Sequence, residues 1–294
     1  MTLLILAAGL GNRYGGTKQF DGVGPQGEFL LEYTIYDAIK AGFSRLVLVT
    51  RHELVQEITD YFKARLPRSI DFECIAQLIE DTPEGFETGV DRAKPWGTAH
   101  AIWCARKVIR EQFVTVNADD LYGRNAIDEA CKLGSQLIEK DQFGLVGFQL
   151  KDTLSRFGSV SRGVCSIANG LLIKVTEYVK IASNNQQILD EELGVEFTGS
   201  ELVSMNLWIL QPSVFSEIET AFPSYFDETS KQESDEIYLP QVIQNLIDAN
   251  VVTVHAAASR SGWYGLTHKE DKAQLEIELM RLTKREIYPT PLWS

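Results

Sequence analysis

The sequence of 294 residues has few cysteines, no long apolar run and a shortage of positive charge. Its four cysteines lie far apart and include no C-x-x-C pair, which argues against a zinc site and against a disulfide framework. No stretch approaches the about 20 consecutive apolar residues that a membrane helix needs. The apolar run that begins at Leu3 lacks the basic flank and the cleavage site of a signal peptide. We therefore expect a soluble, cytoplasmic protein that does not enter a membrane.

Acidic residues outnumber basic ones, because 28 Lys and Arg stand against 41 Asp and Glu, and the net charge is −13. This balance argues against nucleic acid and against an anionic membrane surface as partners, since both attract proteins through positive charge. An anionic substrate would need a local cationic pocket or a metal ion. The composition, 44% hydrophobic and 23% charged, is otherwise ordinary for a globular enzyme.

A glycine-rich segment follows directly on the first apolar run. Residues 3–6 are all Leu or Ile, as expected of a strand that is buried on both faces of a parallel sheet. The segments GLGNR and GGTKQ come next and place Arg13 and Lys18 in a flexible turn. Free backbone N–H groups beside fixed positive charge suit a polyphosphate. Because these segments complete neither a G-x-G-x-x-G nor a Walker pattern, an ordinary glycine-rich turn is an equal alternative.

Strand-like runs alternate with amphipathic helical ones through the first half of the chain. We predict helices at residues 29–41, 53–66 and 97–109, and strands at residues 46–49, 70–77 and 113–116. Residues 78–96 are rich in Pro, Gly and charge and are predicted as a loop. This succession predicts an α/β fold with a doubly wound, mostly parallel, Rossmann-like sheet.

The pattern changes from about residue 143, where strands come closer together. We predict strands at residues 143–150, 202–210 and 251–257, helices from near Pro212 and at residues 238–247 and 269–282, and a polar loop at residues 224–236. Asn169 and Gly170 predict a hairpin turn within the apolar stretch 164–175. No linker or repeat separates the halves, so we predict a single domain, 1–294, whose second half adds strands that wall off a substrate pocket.

Asp119 and Asp120 come just after the strand predicted at residues 113–116. Ligands of open α/β sheets bind beyond the carboxyl ends of the strands, where a carboxylate can hold a hard cation such as Mg²⁺. Successive side chains of an extended strand point in opposite directions, so we expect only one of the two to reach the site. The alternative is that one of them caps the helix that follows.

Several segments together resemble one enzyme family. Residues 6–13, LAAGLGNR, followed by Lys18 and Gln19, resemble the L-A-[AG]-G-x-G-[ST]-R…K-Q pattern of the sugar-1-phosphate nucleotidyltransferases, or nucleotide-sugar pyrophosphorylases. The compact GGTKQ and GPQGE segments are similar to a bacterial branch with a GGxKQ loop. The resemblance continues in the segments KPWGTAHA, NADD, VSMN and EIYLP and covers nearly the whole chain.

The resemblance implies a glycosyltransferase-A-like fold and a Mg²⁺-dependent transferase of nucleotide-sugar biosynthesis. The phosphate of a sugar 1-phosphate attacks the α-phosphate of an NTP, with UTP or dTTP as the expected donor, and pyrophosphate leaves. It also implies a nucleotide-binding half, residues 1–142, and a sugar-binding half with a final helix, residues 143–294.

The same resemblance implies roles for single residues on the nucleotide side. Arg13 would hold the triphosphate, and Lys18 would stabilise the charge that develops on the α-phosphate. Gly9 and Gly11 would offer backbone donors. Three further residues would meet the base: Gln77, Gly97 and Thr98. His100 lies inside a predicted helix, where a packed histidine is commoner than a catalytic one, and the ionised attacking phosphate needs no general base.

On the other side, the resemblance assigns three residues to the sugar and its phosphate: Glu177, Lys180 and Asn206. The alternatives are an exposed lysine at a strand end and an asparagine that satisfies buried backbone. Asp119 matches the family's metal-binding aspartate. Where many relatives have a second aspartate this chain has Gln241, so we assign the second metal contact to Glu236, with Asp235 or water as alternatives.

Two other functions stay open at this point. One is transfer of a cytidylyl group to another phosphate monoester, such as phosphocholine, on the same scaffold. The other is a nucleotide-sugar sensor without turnover, which the neutral Gln241 favours and which the retained Arg13, Lys18 and Asp119 argue against.

Overall fold

The structure, a computed structural model, describes residues 1–9, 22–86, 92, 94–184, 187–226, 235–266 and 270–293. In chain order the strands are Thr2–Leu6 (β1), Arg45–Thr50 (β2), Asp71–Ala76 (β3), Phe113–Asn117 (β4), Asp120–Leu121 (β5), Gln142–Gln149 (β6), Val160–Ala168 (β7), Leu171–Asn184 (β8), Gln187–Asp190 (β9), Glu196–Phe197 (β10), Leu202–Ser204 (β11), Trp208–Leu210 (β12), Thr253–Ala258 (β13) and Tyr264–Gly265 (β14). The α-helices are Leu30–Lys40 (α1), Val55–Lys63 (α2), Thr98–Cys104 (α3), Arg124–Gly134 (α4), Ser213–Tyr225 (α5), Leu239–Asp248 (α6) and Asp271–Lys284 (α7). Within these described ranges, no helix has both the length and the apolar character needed to cross a membrane.

The first half of the chain builds the parallel part of the sheet. β1 lies between β2 and β4, β3 pairs with β2, and all three pairings are parallel. The carboxyl ends of these four strands therefore meet at one edge, and α1, α2 and α3 connect them. This confirms the predicted α/β fold.

The second half extends the same sheet with antiparallel strands. β12 pairs antiparallel with both β4 and β6, and β11 pairs antiparallel with both β6 and β7. β7 and β8 form the predicted hairpin, and Asn169 and Gly170 turn it with positive φ angles of 53° and 78°. This geometry matches the right-handed twist of the two strands.

The core lies on both faces of the sheet. Successive residues of β1 alternate between two apolar clusters, with Leu3 and Ile5 in one and Leu4 in the other, and all three side chains are fully buried. Burial of one such side chain contributes about 1.5–3 kcal/mol. The uninterrupted apolar run of β1 thus reflects a strand that is covered on both faces, as predicted.

One sequence prediction needs correction, and one helix was not predicted. Residues 202–210 do not form one strand, because Asn206 adopts a left-handed φ of 59° and separates β11 from β12. Asparagine tolerates this conformation better than most residues do. The helix α4 had no sequence prediction, although it packs against α1 and β6. The loop predicted at residues 224–236 falls partly outside the described residues.

Candidate functional site

A cavity of about 410 Å³ opens where β4 ends and where β7, β8 and β11 run past it. We call it the central cavity. It brings together four residues that the sequence pattern assigned to the site: Thr98, Asp119, Glu177 and Asn206. These residues are far apart in the sequence, and the sheet order places them within one cavity.

Asp119 and Asp120 both line this cavity, Asp119 half-buried and Asp120 only 5% exposed, and the expectation that only one carboxylate reaches the substrate stays a prediction. Asp119 lies in a turn between β4 and β5, and its backbone oxygen accepts a hydrogen bond from the N–H of Leu266 at 3.1 Å. The turn interrupts the alternation of an extended strand between the two residues. Neither carboxylate caps α4, which starts after Gly123 without a side-chain cap.

Asp120 begins a row of hydrogen bonds that we call the Asp120 relay, formed by Asp120, Asn117 and Asn206. The side-chain nitrogen of Asn117 donates to Asp120 Oδ2 at 2.8 Å. The side-chain nitrogen of Asn206 donates to Asn117 Oδ1 at 3.2 Å. All three residues line the central cavity. The sequence had one signal for Asn117, a polar residue that ends an otherwise buried strand.

Glu177 enters the cavity from β8, opposite Gly163 of β7. A Cβ at Gly163 would lie 3.3 Å from the Glu177 carboxylate, so glycine makes room for it. Burial raises the pKa of Glu177, and the nearby charge of Arg162 acts in the opposite direction. Glu177 is thus an exposed residue on the wall of the cavity, and the charge of Arg162 on the neighbouring strand favours its ionised form.

Arg162 is the residue that the sequence interpretation missed, although it lines the central cavity. Its side chain is almost fully buried, and its guanidinium donates to Thr153 Oγ1 at 3.1 Å, to the backbone oxygen of Ser161 at 2.8 Å and to that of Thr153. It also lies over the ring of Trp263. Burial lowers the pKa of Arg162 to about 10, a lowering that nearby carboxylates reduce, so it stays charged at neutral pH.

Lys180 does not reach the central cavity. It lies three residues after Glu177 on β8, and its ammonium group contacts the carboxylate of Glu192 at 3.0 Å with both side chains more than half exposed. Val179, two residues from Glu177, lines the cavity instead. The period of two along a strand accounts for this arrangement.

Gln77, which follows β3 directly, belongs to a second row of hydrogen bonds. We call it the Gln77 relay, formed by Asp81, His100 and Gln77. His100 Nε2 lies 2.6 Å from the backbone oxygen of Asp81, so this nitrogen carries the proton. Burial lowers the pKa of His100 to about 4, which leaves Nδ1 free to accept. The Gln77 nitrogen then donates to Nδ1 and to the backbone oxygen of Gly97, each at 3.0 Å.

Gly97 and Thr98 open α3 beside this relay. Gly97 has φ 96° and ψ −173°, and a Cβ there would lie 2.6 Å from the backbone oxygen of Ile237. Only glycine fits this position. The hydroxyl oxygen of Thr98 accepts the N–H of Leu239 at 3.1 Å, which ties the start of α3 to the start of α6.

Glu236 lies beside Gly97 rather than in the central cavity, since a Cβ on Gly97 would approach the Glu236 Cβ to 2.9 Å. Burial raises the pKa of Glu236, while a hydrogen bond from Tyr238 and the charge of Arg92 lower it. Glu236 is not among the residues that line the central cavity with Asp119, and its assignment as a metal contact stays a prediction. No group of three His, Cys, Asp or Glu side chains in the described ranges is arranged to hold a metal.

The glycine-rich segment is described only in part. Gly9 follows β1 at the same sheet edge as Asp119, because Leu6 of β1 pairs with Asn117 of β4. Gly11, Arg13 and Lys18 lie outside the described residues, so their assignments stay predictions.

Comparison with known proteins shows which family has a sequence similar to this chain. The family model for "Nucleotidyl transferase" matches residues 4–269. The UTP–glucose-1-phosphate uridylyltransferase of Klebsiella pneumoniae is 22% identical over an alignment of 206 residues that covers 66% of this chain and 65% of that protein. The corresponding enzyme of Salmonella typhimurium is 20% identical over 66% of each chain. The chain thus spans just under two thirds of the length of these curated relatives.

Solved structures extend the likeness in fold to almost every residue. The inositol-1-phosphate CTP transferase from T. maritima superposes with a TM-score of 0.66 at 14% identity, over 96% of both chains. The UDP-glucose pyrophosphorylase from Acinetobacter baumanii superposes with a TM-score of 0.60 at 16% identity, over 97% of this chain and 98% of that one.

Proposed function

This chain belongs to the nucleotidyl transferase family, and from that premise we propose that it transfers a nucleotidyl group from an NTP to a sugar 1-phosphate. The observation that carries the proposal is the central cavity. Positions assigned separately to the base, the metal and the sugar, namely Thr98, Asp119, Glu177 and Asn206, line it together. A sugar phosphate in this cavity would lie beside the carboxyl end of β1, where the glycine-rich segment begins.

The reaction needs no covalent intermediate with the protein. An ionised phosphate oxygen of the sugar 1-phosphate forms a bond to the α-phosphorus of the NTP. The bond from the α-phosphorus to the oxygen that bridges the α- and β-phosphates breaks, and pyrophosphate leaves with the electron pair. The protein contributes positioning and charge neutralisation, which together supply most of the rate enhancement in reactions of this kind. Arg13 and Lys18 are the proposed cations on the NTP.

Asp119 suits a Mg²⁺ ion, because Mg²⁺ prefers oxygen ligands and is completed by water and substrate phosphates rather than by a full protein cage. One half-buried carboxylate such as Asp119 is enough for a site of this kind. When bound, the ion would neutralise part of the triphosphate charge.

The Gln77 relay supports UTP or dTTP as the donor. The side-chain nitrogen of Gln77 donates one N–H to the backbone oxygen of Gly97 and the other to His100. Within the described part of the chain, the side-chain oxygen of Gln77 therefore remains able to accept a hydrogen bond from a ligand. That oxygen accepts a hydrogen bond, and uracil and thymine offer an N–H at ring position N3. Cytosine has an unprotonated nitrogen there, which would face the oxygen unfavourably.

The experiment is pyrophosphate release from a panel of NTPs and phosphate monoesters, with and without Mg²⁺. We expect turnover with UTP or dTTP and a sugar 1-phosphate, and only when Mg²⁺ is present. Asp119→Asn should lower kcat by about 100-fold or more and shift the Mg²⁺ titration. Asp152→Asn is the matched control, because Asp152 is exposed and lies outside the central cavity.

Other outcomes separate the alternatives. Preferred turnover of CTP with phosphocholine would replace the proposal with the cytidylyl one. Nucleotide-sugar binding without turnover across the whole panel would favour a sensor. An unaltered Mg²⁺ titration in Asp119→Asn would remove Asp119 from the metal site.

A further inference from the structure

Asp120 is buried in the central cavity and has no role in the proposed reaction so far. Its side chain is 5% exposed. Asp120 Oδ2 accepts from the Asn117 side chain at 2.8 Å and lies 3.2 Å from the hydroxyl of Tyr122. A carboxylate can accept hydrogen bonds but has none to donate, so it dictates which end of each neighbouring amide faces it.

The amide orientations follow from this carboxylate one after another. Asn117 must present its nitrogen to Asp120, which leaves Asn117 Oδ1 at the other end. Asn206 must then present its own nitrogen to that oxygen, and it does so at 3.2 Å. The side-chain oxygen of Asn206 is therefore the free end of the Asp120 relay. Within the described residues, no hydrogen-bond donor meets this oxygen.

The backbone holds Asn206 at a fixed place in the cavity. Its φ of 59° interrupts the strand, and its backbone oxygen accepts a hydrogen bond from the hydroxyl of Thr115 at 2.8 Å. A non-glycine residue in a left-handed conformation is uncommon and costs about 1 kcal/mol or more. The surrounding contacts offset this cost and position the Asn206 side chain on the cavity wall.

We propose that Asp120 is a positioning residue for the second substrate, and that it acts through Asn117 to fix the Asn206 oxygen as the acceptor of a substrate hydroxyl. The inference rests on the proposed function, since it takes the central cavity as the sugar site. The proposal limits the second substrate to phosphates that carry a hydroxyl group on the carbon facing the Asn206 side-chain oxygen. Asp120 has no metal-binding part in this scheme, unlike its neighbour Asp119.

The experiment compares wild type, Asp120→Asn, Asn206→Gly and the double variant. Glycine suits the positive φ of residue 206, and asparagine has the shape of aspartate, so these variants should fold. The probes are the sugar 1-phosphate that the wild type uses best in the panel, with glucose 1-phosphate tried first, and the monodeoxy analogues of that compound.

We expect one monodeoxy analogue to lose about tenfold or more in kcat/KM with the wild type, because it leaves the Asn206 oxygen unpaired. Asn206→Gly should abolish that discrimination. Asp120→Asn should raise KM for the sugar phosphate by about 5- to 10-fold, because asparagine at position 120 can also donate a hydrogen bond and allows the side-chain amides of Asn117 and Asn206 to flip. KM for the NTP and the Mg²⁺ titration should not change. In the Asn206→Gly background, Asp120→Asn should raise KM for the sugar phosphate by less than about twofold.

Several results would overturn the inference. One is an independent, multiplicative effect of the two substitutions on KM, and another is a shift of the Mg²⁺ titration in Asp120→Asn like that of Asp119→Asn. A third readout needs no turnover: the NMR signal of the Asn206 side-chain amide, assigned by its loss in Asn206→Gly, should move in Asp120→Asn. An unmoved signal contradicts the relay, whereas absence of turnover across the panel contradicts the proposed function alone.

Discussion

The Gln77 relay and the Asp120 relay each end in a single amide oxygen, but they start from different groups. The Gln77 relay starts at the backbone oxygen of Asp81 and passes through neutral His100. The Asp120 relay starts at a carboxylate and passes through Asn117. A backbone carbonyl is present whatever the side chain, whereas a carboxylate is replaced by one substitution. The first relay is therefore insensitive to most changes at its origin, and the second can be changed by a single mutation.

The two relays also differ in how they meet the backbone. The Gln77 relay is tied to Gly97, whose conformation only glycine adopts without strain, and the Asp120 relay is tied to Asn206, whose left-handed conformation glycine would relieve. A steric change should damage the first relay most, and a polar change should damage the second.

Gly97→Ala should have the largest effect. Its Cβ would collide with the backbone of Ile237 at 2.6 Å, in a region of φ and ψ that alanine avoids. We expect a loss of about 3 kcal/mol or more in the free energy of unfolding and a clear rise in KM for the NTP. Chemical unfolding and initial rates measure both.

The matched control is Gly85→Ala, because Gly85 also has a positive φ of 78° but its Cβ would meet nothing within 4 Å. It should cost only about 1 kcal/mol. Equal losses in the two variants would show that strain in φ, rather than the contact with Ile237, makes Gly97 necessary.

Acid should weaken the fold through the Gln77 relay. Burial lowers the pKa of His100 from 6.5 to about 4. As the pH falls below 6.5 the unfolded chain takes up this proton first, so stability declines until about pH 4, where the folded protein is protonated as well. The total loss is about 3 kcal/mol. Denaturant unfolding as a function of pH should show this slope in the wild type and a shallower one in His100→Phe.

The control for that substitution is His255→Phe, which removes a half-buried histidine of β13 outside the relay. Identical slopes in the wild type and His100→Phe would exclude His100 as the titrating group. His100→Phe should also reduce the preference for UTP or dTTP over CTP, since the Gln77 amide is then free to turn over.

Gly163→Ala should affect the other side of the cavity and have a smaller effect. Its Cβ would lie 2.9 Å from Val175 and 3.3 Å from the carboxylate of Glu177. The strand can shift by a few tenths of an ångström, so we expect about 1 kcal/mol of destabilisation and a rise of about 3- to 10-fold in KM for the sugar phosphate. KM for the NTP should not change. Gly262→Ala, whose Cβ would make only an ordinary contact at 3.4 Å, is the control.

The sequence predicted the parts of the site that depend on local pattern. Continuous apolar runs located the buried strands, and Asp119 was found because a polar residue follows β4 at the carboxyl edge. The left-handed turn at Asn206 was hidden in an apolar stretch that looks like one strand. Its hydrogen bonds with Thr115 and Asn117, about 90 residues earlier, accompany the break and leave no local signal in the sequence.

Arg162 was hidden for a related reason. An arginine in a strand next to Ser161 reads as solvent-exposed, because arginine is seldom buried. Its burial depends on acceptors from Thr153 and on the ring of Trp263, which comes about 100 residues later in the chain. Contacts between distant segments leave no periodic signal in a single sequence.

Lys180→Ala should have the smallest effect, and it tests the family pattern against the geometry of β8. The family pattern assigns Lys180 to the sugar phosphate. Two residues of a strand share a face only if an even number of positions separates them, and Lys180 lies three positions after Glu177. Its contact with Glu192 is exposed and therefore worth only about 0–1 kcal/mol. We expect KM and kcat within about twofold of the wild type, whereas a tenfold rise in KM for the sugar phosphate would return Lys180 to the site and require β8 to twist when substrate binds. Lys174→Ala, on the same strand, is the control for loss of one positive charge.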